Sequence, residues 1–271
     1  MQKLLRPGRI FFAAGIMALG VLQFFVKDYI IGRPPAPAWS AEIPGKIAWA
    51  YASGIFLMSV GLAIILNKKA KLMCIAAGIM IILCSFLLRS LPQMFISSWE
   101  GILWSINAYK SLALAGGAFI VAASFSEERN HKYNRFFRTN LLITLGCIFI
   151  AIFFIDSGMA HFKFHDFIIN DFIPSYIPYH AFWTYFCGIA LMAAGLGLIV
   201  PQTRKWAAAL AGLMILLWFF LLHIPRAFAA PDNYSEWMGV CESFSFSGIL
   251  FVLAAMSSQG KTVYRTNFKF S

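Results

Sequence analysis

Residues 158–226 read GMAHFKFHDFIINDFIPSYIPYHAFWTYFCGIALMAAGLGLIVPQTRKWAAALAGLMILLWFFLLHIPR. Two apolar runs, 181–200 and 206–224, are separated by the polar turn Pro201-Gln202-Thr203-Arg204-Lys205. Each has about the 20 residues that an α-helix needs to cross a hydrocarbon layer of about 30 Å. As an antiparallel helix pair they would carry His180 and His223 at one end and the cations Arg204 and Lys205 at the other. This stretch decides the fold class, because the rest of the chain repeats its pattern.

Working outward, hydrophobic stretches lie near 10–30, 47–66, 70–89, 102–124, 140–162, 181–200, 206–224 and 239–257. Of the 271 residues, 60% are hydrophobic and only 12% are charged, with a mean hydropathy of +0.74. A soluble domain carries about a quarter charged residues, and one aqueous core cannot hide this much apolar surface. The expectation is an all-α polytopic membrane protein with eight transmembrane helices. The N-terminal run has the basic start of a signal peptide but no small-residue cleavage site, so it is read as the first helix.

The net charge of +11 is distributed by side and not as a nucleic-acid patch. Fifteen of the 22 Lys and Arg fall in alternate inter-helix segments, among them Lys3, Arg6, Arg9, Lys68, Lys69, Lys71, Arg204 and Lys205. Such an excess marks the cytoplasmic side. It places both termini there in a multi-pass protein of the cell membrane, with the lipid bilayer and its anionic headgroups as the default partner. The opposite segments, 31–46, 90–101, 163–180 and 225–238, are longer and rich in Pro and aromatics. The five cysteines lack C-x-x-C spacing, lie in apolar runs and read as small core residues.

The two halves repeat. At an offset of 134, Pro44, Trp49, Tyr51, Gly54, Gly61, Lys71 and Gly78 fall on Pro178, Trp183, Tyr185, Gly188, Gly195, Lys205 and Gly212. Upstream the offset is 138, aligning Gly20, Phe24 and Asp28 with Gly158, Phe162 and Asp166. Apolar bias alone would not align Trp, Tyr, Pro and Gly in order. Four helices per unit is an even number, so the units share one orientation and are related by an axis along the membrane normal. The organisation is a first four-helix repeat over 1–124, a basic cytoplasmic linker over 125–139 and a second repeat over 140–271. Gly54 with Gly61, and Gly188 with Gly195, each share a helix face on which helices pack closely in lipid.

With His161-Phe162, Phe167, Pro174, Tyr176, Pro178, Gly188, Gly195, Pro201, Thr203 and Arg204 in place, the second half resembles the DoxX family of four-helix membrane proteins. The segment His223, Pro225, Arg226, Asn233, Glu236, Trp237 resembles the outer loop of the same family, and the first half resembles it through the repeat. The resemblance implies a tandem duplication of the DoxX-like unit. Some relatives take part in quinone-linked oxidation of sulfur compounds, and others are linked to redox stress or amine metabolism. Many relatives carry a Glu three residues after the Gly of the unit's second helix, whereas Leu191 stands there in this chain.

Alternating helix directions put His161, His165, His180 and His223 at one depth, near the outer interface. His161 and His165 are i,i+4 and share a face if the helix continues past Phe164. Neutral imidazole is a common metal ligand and titrates near neutrality. The four rings are thus candidates for copper, zinc or haem, for a quinone head, or for an interfacial role without ligand. In the first half their positions hold Gln23, Lys27, Lys46 and Arg89, so a metal would belong to the second half alone.

Asp156, five residues before His161, is a candidate proton carrier. His161, His223 and Asp156 form the candidate catalytic set, with His165, His180, Arg226, Glu236, Trp183 and Tyr185 as ligand-binding candidates. Arg226 with Glu236 reads either as a loop anchor or as part of a head-group site. The intramembrane charges Lys110 and Glu242 occupy near-equivalent places in the two halves and are expected to pair. Three function classes remain open: a quinone-linked oxidoreductase membrane subunit working with a soluble or membrane redox partner, a small-molecule permease, and a non-catalytic scaffold. No dinucleotide fingerprint or iron–sulfur cysteine cluster is present.

Overall fold

A computed structural model describes residues 1–30, 44–90, 101–125 and 132–266. Among these residues all regular structure is helical. In chain order the principal helices are α1 (Leu5–Val26), α2 (Lys46–Ile65), α3 (Ala70–Ile81) and α4 (Gly101–Ala123). They are followed by α5 (Lys132–Lys163), α6 (His180–Ile199), α7 (Arg204–Trp218) and α8 (Tyr234–Thr266). Each hydrophobic stretch of the sequence falls on one of them to within about four residues, α3 and α7 together with the turns that extend them; the expected stretch 10–30 overruns α1, which stops at Val26 because Lys27 turns left-handed (φ 55°). The expected outer segments 31–46 and 90–101 fall largely outside the described residues. So do residues 126–131 of the expected linker, whose later part is the start of α5.

Seven of the helices are long and apolar enough to cross a membrane. In α4 the described apolar part is shorter, Ala108–Ala123. The surface supports the membrane reading: Phe25, Leu88, Leu196 and Leu210 are between 60% and 70% exposed. Water would penalise so large an apolar surface, and lipid would not. The chain is therefore a multi-pass membrane protein by the length and composition of its helices.

Burial ranks the helices. Of the most apolar part of α8 83% is buried, against 33% in α6 and 22% in α7 with its extension. In α4, Ala108 and every residue from Ser111 to Ala123 are buried. These two helices form the centre, and the others surround them with one face to the bilayer. Small residues permit the contacts. A Cβ on Gly20 would stand 2.6 Å from Gly54 O, and one on Gly158 would stand 2.7 Å from Gly188 O. Likewise Gly8 meets Gly248 O at 2.7 Å, and Gly146 meets Gly116 O at 2.5 Å. So α1 packs on α2 and α8, as α5 packs on α6 and α4.

Two helices change winding near their ends. The chain continues from α3 as a π-helix over Ile82–Ser90, and from α7 as a π-helix over Phe219–His223 followed by an α-helical turn, Ile224–Ala229. A π-turn bonds i to i+5 and recurs at functional sites. Side chains close over both turns. The Tyr29 and Ser85 hydroxyls are 2.9 Å apart, and the Tyr176 hydroxyl donates to Leu221 O.

Candidate functional site

One sequence expectation fails at Phe164. The last turn of α5 closes with Phe164 N–H donating to Ala160 O, and the chain then turns at Phe164 (φ −111°, ψ 32°). His165 opens a new short helix, His165–Phe167, and donates from Nδ1 to Phe162 O at 3.0 Å. The rings of His161 and His165 therefore do not share one helix face.

His161 remains on α5. Its Nδ1 donates to Ser157 O at 2.8 Å, and its ring lies 6.4 Å from that of Trp218 at 26°. A carbonyl can only accept, so the nitrogen facing it carries the proton and Nε2 of the neutral ring holds a lone pair. Its backbone passes close to α6, where a Cβ on Gly188 would lie 2.9 Å from His161 Cβ. Only at a glycine can α6 come so near.

His223 ends the π-turn of α7. It packs over Gly239 of α8, where an added Cβ would stand 2.7 Å from Nδ1, and meets the edge of Phe172 at 6.4 Å. Residues five apart lie well off one another's face in an α-helix. The wider π-turn between Trp218 and His223 brings those two nearer to one side of α7. Trp218 is a site residue that the sequence reading does not single out. The only hint of it was its place five residues before His223.

His165 and His180 sit further out. His165 Nε2 lies 3.2 Å from the exposed Asp166 Oδ1, a pair that is ionic only with the ring protonated, and the His165 ring stacks 6.3 Å from Tyr185. His180 begins α6 and donates from Nδ1 to Ile169 O at 2.7 Å, which fastens the loop between α5 and α6 to that helix. Tyr185 is 39% exposed and tilts against Phe162, while Trp183, 40% exposed, meets Phe182 and Phe186 edge-on. Among the described residues, no three of His, Cys, Asp or Glu come together as a set able to hold a metal ion.

Arg226 is a clamp. Its Nε and Nη2 donate to the two Glu236 oxygens at 2.9 and 2.6 Å, and its Nη1 donates to Phe172 O at 2.7 Å and Asp171 O at 3.1 Å. The guanidinium also lies 4.5 Å over the Phe172 ring. All three nitrogens are engaged within the protein, so the side chain ties the loop between α5 and α6 to the segment after α7 and the start of α8.

Two buried polar atoms have no hydrogen-bond partner among the described residues: Asp156 Oδ2 and Gln23 Nε2. Gln23 Oε1 accepts from the Ser53 hydroxyl at 3.2 Å, which leaves the amide nitrogen over. Gln23 aligns with His161 in the sequence repeat, which was the available pointer to it. Hollows open at both ends of the described bundle. One of about 220 Å³ lies between Val26 and Asp232–Met238, and one of about 570 Å³ lies at the opposite end of the bundle. No histidine lines either.

These features define a multi-pass, all-helical membrane protein whose second half gathers polar groups at one end. Over residues 150–241 the chain matches a family model described as a domain of unknown function (DUF8561), a span containing every candidate residue named above from Asp156 to Trp237. No curated protein and no solved structure matches the chain.

Proposed function

We propose that the chain is a tandemly duplicated, DoxX-like membrane protein with eight spans and cytoplasmic termini, and that its second half binds the head of a quinol. The paired close approaches Gly20·Gly54 with Gly158·Gly188, and Gly8·Gly248 with Gly146·Gly116, support the duplication. They are related by the sequence offsets of 138 and 134 and by one of 132 between α4 and α8. Such recurrence follows if two like-oriented units exchange their central helices about an axis along the membrane normal.

The observation that carries the site is the His161–Trp218 contact, with the imidazole Nε2 left as an acceptor beside a flat indole. A quinol O–H would donate to His161 Nε2 while its ring stacks on Trp218, and His223 would serve the second hydroxyl. Oxidation would pass the two hydroxyl protons out through His161, with Asp156 as onward proton carrier, and two electrons to a redox partner subunit, while His223 would only accept a hydrogen bond from the second hydroxyl. A second reading, a non-catalytic scaffold, is favoured by the clamped outer loop. Extraction of the protein purified in mild detergent, with quinone quantified in the extract, separates the two. A quinol reader retains stoichiometric quinone that His161→Ala removes, and a scaffold retains none.

A further inference from the structure

We infer that the end of the bundle opposite the histidines holds a specific site for one anionic glycerophospholipid, formed by the first half alone. The proposal rests on the helices crossing a bilayer and is independent of the quinol site. The hollow of about 570 Å³ lies between the start of α1, the end of α2 and Phe125 after α4. Its lining combines Lys3, Arg6 and Arg9 with the apolar Leu5, Ile10 and Ile65, and no carboxylate takes part. Cations beside apolar side chains in one hollow suit a phosphate and the first part of an acyl chain.

Two features make this more than a solvated basic face. The Arg9 guanidinium is held in place: Nε donates to Ser124 Oγ at 2.9 Å, Nη2 donates to Ser124 O, and the group lies 3.9 Å over the Phe125 ring. Its Nη1 makes no hydrogen bond among the described residues. The helix start beside it has no side-chain cap and no acidic residue in its first turn, so its N–H groups also suit an anion.

The second half supplies a comparison. At an offset of 138, Arg6 and Arg9 fall on Thr144 and Cys147. There Arg204 turns inward, donating from Nε to Leu198 O at 2.7 Å and from Nη2 to Ile199 O at 3.1 Å. Those two residues align with Ile64 and Ile65. Arg204 thus closes a helix end, whereas Lys3, Arg6 and Arg9 line an open hollow. Membrane orientation requires positive charge on this side but not this arrangement.

The test is lipid binding by native mass spectrometry on the full, delipidated chain, with phosphatidylglycerol, phosphatidylcholine and inorganic phosphate as probes. One phosphatidylglycerol should bind with clear preference over phosphatidylcholine, and inorganic phosphate at the same concentration should not compete. The double variant K3Q/R6Q should lose on the order of tenfold in affinity or more. K68Q/K69Q, on the neighbouring loop outside the hollow, should bind as wild type does. Equal losses in the two double variants, equal binding of the two lipids, or competition by phosphate would each overturn the proposal. Quinone content in the same preparations should not change with K3Q/R6Q, so failure here is distinct from failure of the quinol reading.

Discussion

Lys110 Nζ lies 3.0 Å from Glu242 Oε2, joining α4 to α8 at the centre of the bundle. The side chains are 25% and 6% exposed, so the pair is largely shielded from water and lipid alike. The two positions differ by 132, the offset that also relates Gly116 to Gly248. A single ion pair therefore joins aligned positions of α4 and α8. Removing one partner strands a buried charge, at a cost of about 3–5 kcal/mol. Lys110→Met or Glu242→Leu alone should lower the unfolding temperature in detergent sharply. The double variant should recover most of the loss, because an apolar pair of similar volume restores packing without a charge.

The glycine contacts make a paired prediction. Gly8→Leu and Gly146→Leu should destabilise the fold by similar amounts, about 1–3 kcal/mol or more, since each forces a side chain into a facing backbone carbonyl. Gly45→Ala, with no atom within 4 Å of an added Cβ, should cost only the strain of its φ of +68°, about 1 kcal/mol. Thermal unfolding of the three variants checks the ranking.

The clamp predicts a local effect. Arg226→Lys keeps the charge but cannot reproduce the fork to Glu236 together with the bonds to Asp171 and Phe172. It should cost about 2 kcal/mol or more. Protease cleavage between residues 164 and 179 should quicken, whereas Lys205→Gln should leave that rate unchanged.

Orientation can be read by thiol labelling. The five native cysteines are free, and all but Cys84 are buried. Asp166→Cys, at a side chain 86% exposed on the histidine end, should react with an impermeant maleimide in intact cells. Asn67→Cys, on the opposite end, should react only after permeabilisation. The reverse pattern would invert the topology.

Much of this arrangement was legible in the sequence. Apolar runs and basic turns gave the helix ends to within a few residues; 181–200 became His180–Ile199. Pairing of Lys110 with Glu242 followed from the expense of leaving either charge alone in lipid. Close approach at Gly54 and Gly188 followed from small residues seven apart on one face. The break at Phe164 was hidden because FKFHDF contains neither Gly nor Pro, so the i,i+4 spacing of His161 and His165 suggested a face the chain abandons. The contact of Trp218 with His161 was hidden for a related reason: a π-turn shifts the register, and apolar periodicity does not reveal it. The extension of α5 back to Lys132 was missed because polar residues extend a helix beyond the membrane as readily as they end it.

The most direct test of the quinol reading is the quenching of intrinsic tryptophan fluorescence by a short-chain quinol in detergent, compared across wild type, His161→Ala, His223→Ala and His131→Ala. Saturable quenching should appear in wild type, persist in His131→Ala, whose position lies outside the described residues, and vanish in the other two. Quenching of equal size in all four proteins, or none in wild type, would contradict a quinol site between His161, Trp218 and His223.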